Sequence, residues 1–76
     1  MNERLPALTA REVIRALERA GFREARRSGS HVRLIHASDP ARKITVPMHA
    51  GDLKRGTMRA IIAQAGLTVE AFLALL

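Results

Sequence analysis

Apolar residues recur along this chain with two different periods, and the changes of period mark its elements. Ala10, Val13, Ile14 and Leu17 fall on one stripe at helical spacing, while Arg11, Arg15, Glu18 and Arg19 lie towards a solvated side. Thr9 is the predicted N-cap, and Glu12 three positions later completes a capping box. Leu8 and Val13 are spaced as a hydrophobic staple across that cap, and Gly21 suits the left-handed position that closes a helix.

Beyond Gly21 the period drops to two. Residues 22–27 predict a strand, Ser28-Gly29 a turn, and residues 31–36 a second strand. In that second strand Val32 and Leu34 share one face, and His31, Arg33 and Ile35 share the other. His36 has the parity of Val32 and Leu34, so it is expected half-buried or at the strand end. After the turn Ser38-Asp39-Pro40, residues 43–48 predict a third strand that buries Ile44, Val46 and Met48 and turns Lys43, Thr45 and His49 the other way. Pro47 has no N–H to donate, so this strand belongs at a sheet edge or ends there. Residues 49–56 read as a loop. Helical spacing returns near Thr57 with Met58, Ile61, Ile62 and Ala65 and stops at Gly66, after which Thr68 caps a short helix carrying Val69, Phe72, Leu73 and Leu76. The order predicts an α+β fold: a helix, a three-stranded antiparallel meander, a second helix and a short extra C-terminal helix. Both main helices are expected on the apolar face of the sheet, with the other face open.

A length of 76 residues is expected to make a single domain, residues 1–76, with a modest core. Hydrophobic content of 47% supports a folded chain, and its aromatics are Phe22 and Phe72 alone. The absence of cysteine excludes disulfides and thiolate metal sites. No apolar run approaches the ~20 residues of a membrane span, and Met1-Asn2-Glu3-Arg4 lacks the apolar core of a signal peptide. A cytoplasmic chain without membrane contact is therefore expected. Thirteen Lys and Arg against seven Asp and Glu give a net charge of +6, which favours a polyanionic partner. Arginine predominates, and its planar fork grips phosphate with two parallel hydrogen bonds.

Chemistry concentrates at Arg26-Arg27-Ser28-Gly29-Ser30-His31, where one predicted strand turns into the next. Cleavage of an RNA strand without metal needs an acceptor for the 2′-hydroxyl proton, a donor for the leaving oxygen, and cations for the developing phosphorane charge. An imidazole, with a reference pKa of ~6.5, suits either proton role, and arginine suits the charge role. Alternation leaves open whether Arg23 and Arg27 or Arg26 reach the face of His31. His31 has a plainer alternative role, as a strand-end residue bonded to local turn groups. His49 is a candidate second acid/base. The carboxylates Glu3, Glu12, Glu18, Glu24, Asp39, Asp52 and Glu70 are scattered, so no two-metal nuclease cluster is expected. No pair of histidines has the close spacing of a metal motif, and Ser30 lacks the glycine elbow and acidic partner of a hydrolase nucleophile. Asp52-Leu53-Lys54-Arg55-Gly56-Thr57 sets Lys54 and Arg55 before a helix, where free N–H groups favour phosphate; its plainer reading is an ordinary helix-start loop.

Five motifs in order resemble the HicA family of bacterial toxins, small ribonucleases of type II toxin–antitoxin systems. They are Gly21-Phe22, Gly29-Ser30-His31, Val46-Pro47-Met48-His49, Leu53-Lys54-Arg55-Gly56-Thr57 and Gln64-Ala65-Gly66-Leu67, and they span nearly the whole chain. The resemblance implies an α-β-β-β-α layer similar to a double-stranded-RNA-binding domain, a catalytic histidine at His31, and cleavage of mRNA. It also implies a HicB-like antitoxin that covers the active face and carries the DNA-binding segment, so no direct DNA contact is expected without it. The expected protein is thus a metal-independent, cofactor-free endoribonuclease. Gly29 and Ser30 present His31, and Arg27, Arg33, Lys54 and Arg55 are candidate phosphate contacts. The alternative is a non-catalytic RNA-binding module of the same fold.

Overall fold

The computed structural model describes residues 5–76; residues 1–4, with Glu3 and the segment read as lacking a signal peptide, lie outside the described residues. Helix α1 (Ala10–Arg19) starts at the capping box. The Glu12 N–H donates to Thr9 Oγ1 at 3.2 Å, and the Thr9 N–H donates to the Glu12 carboxylate at 2.9 Å. Thr9→Ala leaves the Glu12 N–H without its side-chain acceptor, and is expected to lower unfolding stability by about 1 kcal/mol. An unchanged urea midpoint would show that water or a neighbouring group replaces the cap. The predicted stripe is buried, together with Ala16. Gly21 ends the helix with φ of 100°. A β-carbon there would be strained, and it would also stand 2.8 Å from His36 Nε2.

Strands β1 (Phe22–Ser28), β2 (His31–His36) and β3 (Lys43–Pro47) form an antiparallel sheet in the order β1-β2-β3. β1 runs one residue further than alternation predicts, and β3 ends one residue sooner, at the proline. Val32 pairs with Val46 and Leu34 with Ile44, and all four are buried. Between Glu24 and Arg26 the register of β1 slips by one residue, a bulge at Ala25.

Helix α2 (Arg55–Gln64) starts two residues before the expected Thr57, with Lys54 as an N-cap that makes no side-chain hydrogen bond. Helix α3 (Val69–Leu73) is capped by Thr68, whose Oγ1 accepts the Ala71 N–H at 3.0 Å. Its buried residue is Phe72; Leu76, expected on the same stripe, is 50% exposed. The chain after Leu73 tightens into bonds from the Leu75 N–H to Phe72 O and from the Leu76 N–H to Leu73 O, which takes Leu76 off the stripe. Leu5, Leu8 and Leu53, from irregular segments, complete the core, and the Leu53 N–H donates to Leu8 O at 2.8 Å.

One end of the sheet ties down both main helices. The His36 ring meets Phe22 edge-on at 5.0 Å, and its Nε2 lies 3.0 Å from Ala20 O. Nδ1 accepts the Ser38 N–H, so in this arrangement Nε2 carries the proton and donates to Ala20 O. Arg42 lies 5.3 Å over the same Phe22 ring and donates from Nε and Nη2 to Ala65 O. The two carbonyls are orphan acceptors at helix C-termini, so each donor satisfies a group the helix itself leaves unpaired. Among the described residues, no helix is long and apolar enough to cross a membrane.

Candidate nucleic-acid interface

With the helices on one face, the other face displays three rows of residues paired across the strands. Ser28, His31 and Pro47 form the first; Arg26, Arg33 and Thr45 the second; Arg23, Ile35 and Lys43 the third. Residues directly opposite one another share a face, and β2 sets which face, because Val32 and Leu34 point into the core. His31, Arg33, Ile35, Lys43 and Thr45 therefore occupy the one face that alternation predicts. Arg26, Ser28, His31, Arg33 and Thr45 line a shallow open cleft. The Gly29-Ser30 turn, with Gly29 at φ of 58°, makes His31 the first residue of β2 and leaves its imidazole exposed at the rim. No row position carries a carboxylate.

The other predicted site residues lie elsewhere. Arg27 pairs with Val32, on the opposite side of the sheet, and its Nε and Nη2 donate to the Glu24 carboxylate at 3.2 and 3.1 Å. Gly29 and Ser30 form the turn beside His31, and Ser30 O accepts the Met48 N–H. Lys54 lines a second cleft with Pro47, His49, Asp52 and Thr57. Arg55 is the exposed first residue of α2. The two clefts adjoin at Pro47, which pairs with His31 and lines the second. His31 and His49 thus belong to neighbouring clefts, while His36 belongs to the helix-end contacts.

Arg26 is the cleft arginine that alternation left undecided. Strict alternation from the buried Phe22 would turn Arg23, Ala25 and Arg27 outward together. The bulge at Ala25 resets the count, so Arg26 and Ser28 face outward and Arg27 does not. Among the described residues, no three His, Cys, Asp or Glu side chains gather as a metal-binding group.

A family model described as HicA toxin of bacterial toxin-antitoxin matches residues 10–67. The match begins at the first residue of α1, passes beyond α2 and includes every residue of the three rows. No curated protein sequence matches the chain.

Proposed function

The chain belongs to the HicA family of toxins from bacterial toxin–antitoxin systems, and we propose that it acts by cutting mRNA, without a metal, through His31 as general acid/base. The observation that carries this reading is an exposed imidazole at the rim of a cationic, carboxylate-free sheet face. In the proposed step a ribose 2′-oxygen attacks the adjacent phosphorus and the bond from phosphorus to the 5′-oxygen breaks. The 2′-hydroxyl proton passes to a base and the leaving 5′-oxygen receives one from an acid. His31 serves one of these roles at a time, and His49 or a water serves the other. Arg33, in the same cleft, stabilises the charge that develops on the phosphorane. Gly29 and Ser30 hold His31 at the turn, and Lys54 and Arg55 contact flanking phosphates at the start of α2. Arg27 takes no part in the step, because its guanidinium is engaged by Glu24 on the opposite side.

Membership in a toxin–antitoxin family brings an antitoxin partner. In this reading it is HicB-like, covers the His31 face and complements a net charge of +6 with acidic groups, so association is fast and weakened by salt. The enzymatic reading is tested by incubating the purified chain with RNA in excess EDTA. Fragments ending in 2′,3′-cyclic phosphate are expected. Fragments with 5′-phosphate and 3′-hydroxyl ends would overturn attack by the 2′-oxygen, and RNA that is bound but never cut would make the chain a binding module.

A further inference from the structure

We infer that Arg26 and Arg33 jointly grip one phosphate of an extended single-stranded RNA next to the one at His31, and that Arg23 and Lys43 hold the following one. This inference rests on the reading of the sheet face as the RNA-cleaving surface.

Arg26 and Arg33 are directly opposed across β1 and β2. Like charges in that position destabilise a sheet, and opposite charges are the usual pairing. The carboxylate nearest in sequence, Glu24, is turned to the other face by its pairing with Leu34 and is engaged by Arg27. Among the described residues, neither Arg26 nor Arg33 has an ion-pair or side-chain hydrogen-bond partner. Two facing guanidiniums with no counter-charge, both lining the His31 cleft, make a site whose missing component is an anion with several acceptor oxygens. A phosphate fits, because each planar guanidinium can offer it two parallel donors.

The bulge is the device that builds this pair. One extra residue at Ala25 lets Arg23 and Arg26, which differ in parity, occupy the same face. Successive rows lie two residues apart along β2, roughly 6.7 Å, comparable to the spacing of successive phosphates on an extended strand. The third row repeats the arrangement, with Arg23 and Lys43 flanking Ile35. Phe22 and Phe72 are buried and the chain has no Tyr or Trp, so this face offers no Phe, Tyr or Trp ring for stacking bases. It reads the backbone, which makes the grip tolerant of sequence and sensitive to salt.

The test measures binding of a short single-stranded RNA with 2′-O-methyl riboses, which cannot be cut through the 2′-oxygen, over a series of salt concentrations. Arg26→Ala is expected to weaken binding roughly tenfold, with the slope of log affinity against log salt falling by less than the ~0.7 of one single-strand phosphate contact, because Arg33 still meets that phosphate. Arg33→Ala should do the same. The double variant should lose about 0.7, the value for one phosphate rather than two, because both residues grip the same one. Arg15→Ala, an equal loss of charge on the exposed side of α1, controls for net charge. A double-variant slope no different from that of Arg15→Ala would overturn the inference. So would a double-variant loss of about 1.4, the value for two separate phosphate contacts. Both arginines are exposed, and thermal midpoints no lower than wild type exclude misfolding. Because the probe is never cut, a slope change in the double variant stands even if the wild-type chain proves unable to cleave RNA, and the two failures are distinguishable.

Discussion

Replacing His31 by alanine is expected to lower the rate of RNA cleavage by roughly 100- to 10,000-fold, the span that one positioned proton-transfer group contributes, while leaving the chain folded. The imidazole is exposed at the first position of β2, and what holds that position is backbone pairing with Ser28 and Pro47, which alanine keeps. Affinity for uncut RNA should remain within a few-fold of wild type, because the arginines that line the cleft are untouched. His31→Gln, which keeps polar atoms but cannot shuttle a proton near neutral pH, should be as inactive as the alanine variant. Production of either variant should no longer arrest growth. Cleavage by His31→Ala at the wild-type rate would remove the imidazole from the reaction and reassign the proton transfers to another group, with His49 in the adjoining cleft the first to test.

Phe22→Ala should abolish toxicity by a different route. Phe22 is 2% exposed and opens β1 directly after α1. Its ring receives the edge of His36 and lies beneath Arg42, the two side chains that satisfy the carbonyl ends of α1 and α2. Truncation removes buried area and also the surface that orients both donors. A Phe to Ala change in a core costs about 3–5 kcal/mol, against a total of about 4–11 kcal/mol for a chain of 76 residues. The variant should be largely unfolded, or close to it, at 37 °C, whereas His31→Ala keeps its midpoint. Phe22→Leu retains much of the volume and should lose less. A urea midpoint for Phe22→Ala within error of wild type would show that the helix ends are held without the ring.

The local elements were readable from residue order because their causes are local. The capping box at Thr9 and Glu12, the stripes of α1 and α2, the alternation of β2 and β3 and the glycine after α1 each depend on neighbours within about four residues. The same patterns placed His31 and Arg33 on the open face, because alternation in β2 is uninterrupted. The motif order that resembles the HicA family is likewise a property of the linear sequence, and the match over residues 10–67 agrees with it.

Other features required the assembled chain. The start of α2 is one: Arg55 and Gly56 carry no apolar residue of the stripe and Lys54 offers no side-chain acceptor, so no signal preceded Thr57. Leu5 and Leu53 join the core from segments without periodicity, and Arg42 is committed to Ala65 O, 23 positions away. The bulge matters most for the candidate site, since it decides which of Arg26 and Arg27 lines the cleft with His31. Those neighbours are chemically identical, and a period of two cannot say where a strand takes in an extra residue. Only pairing with β2, whose own faces are set by burying Val32 and Leu34 against the helices, turns Arg26 towards His31 and Arg27 towards Glu24.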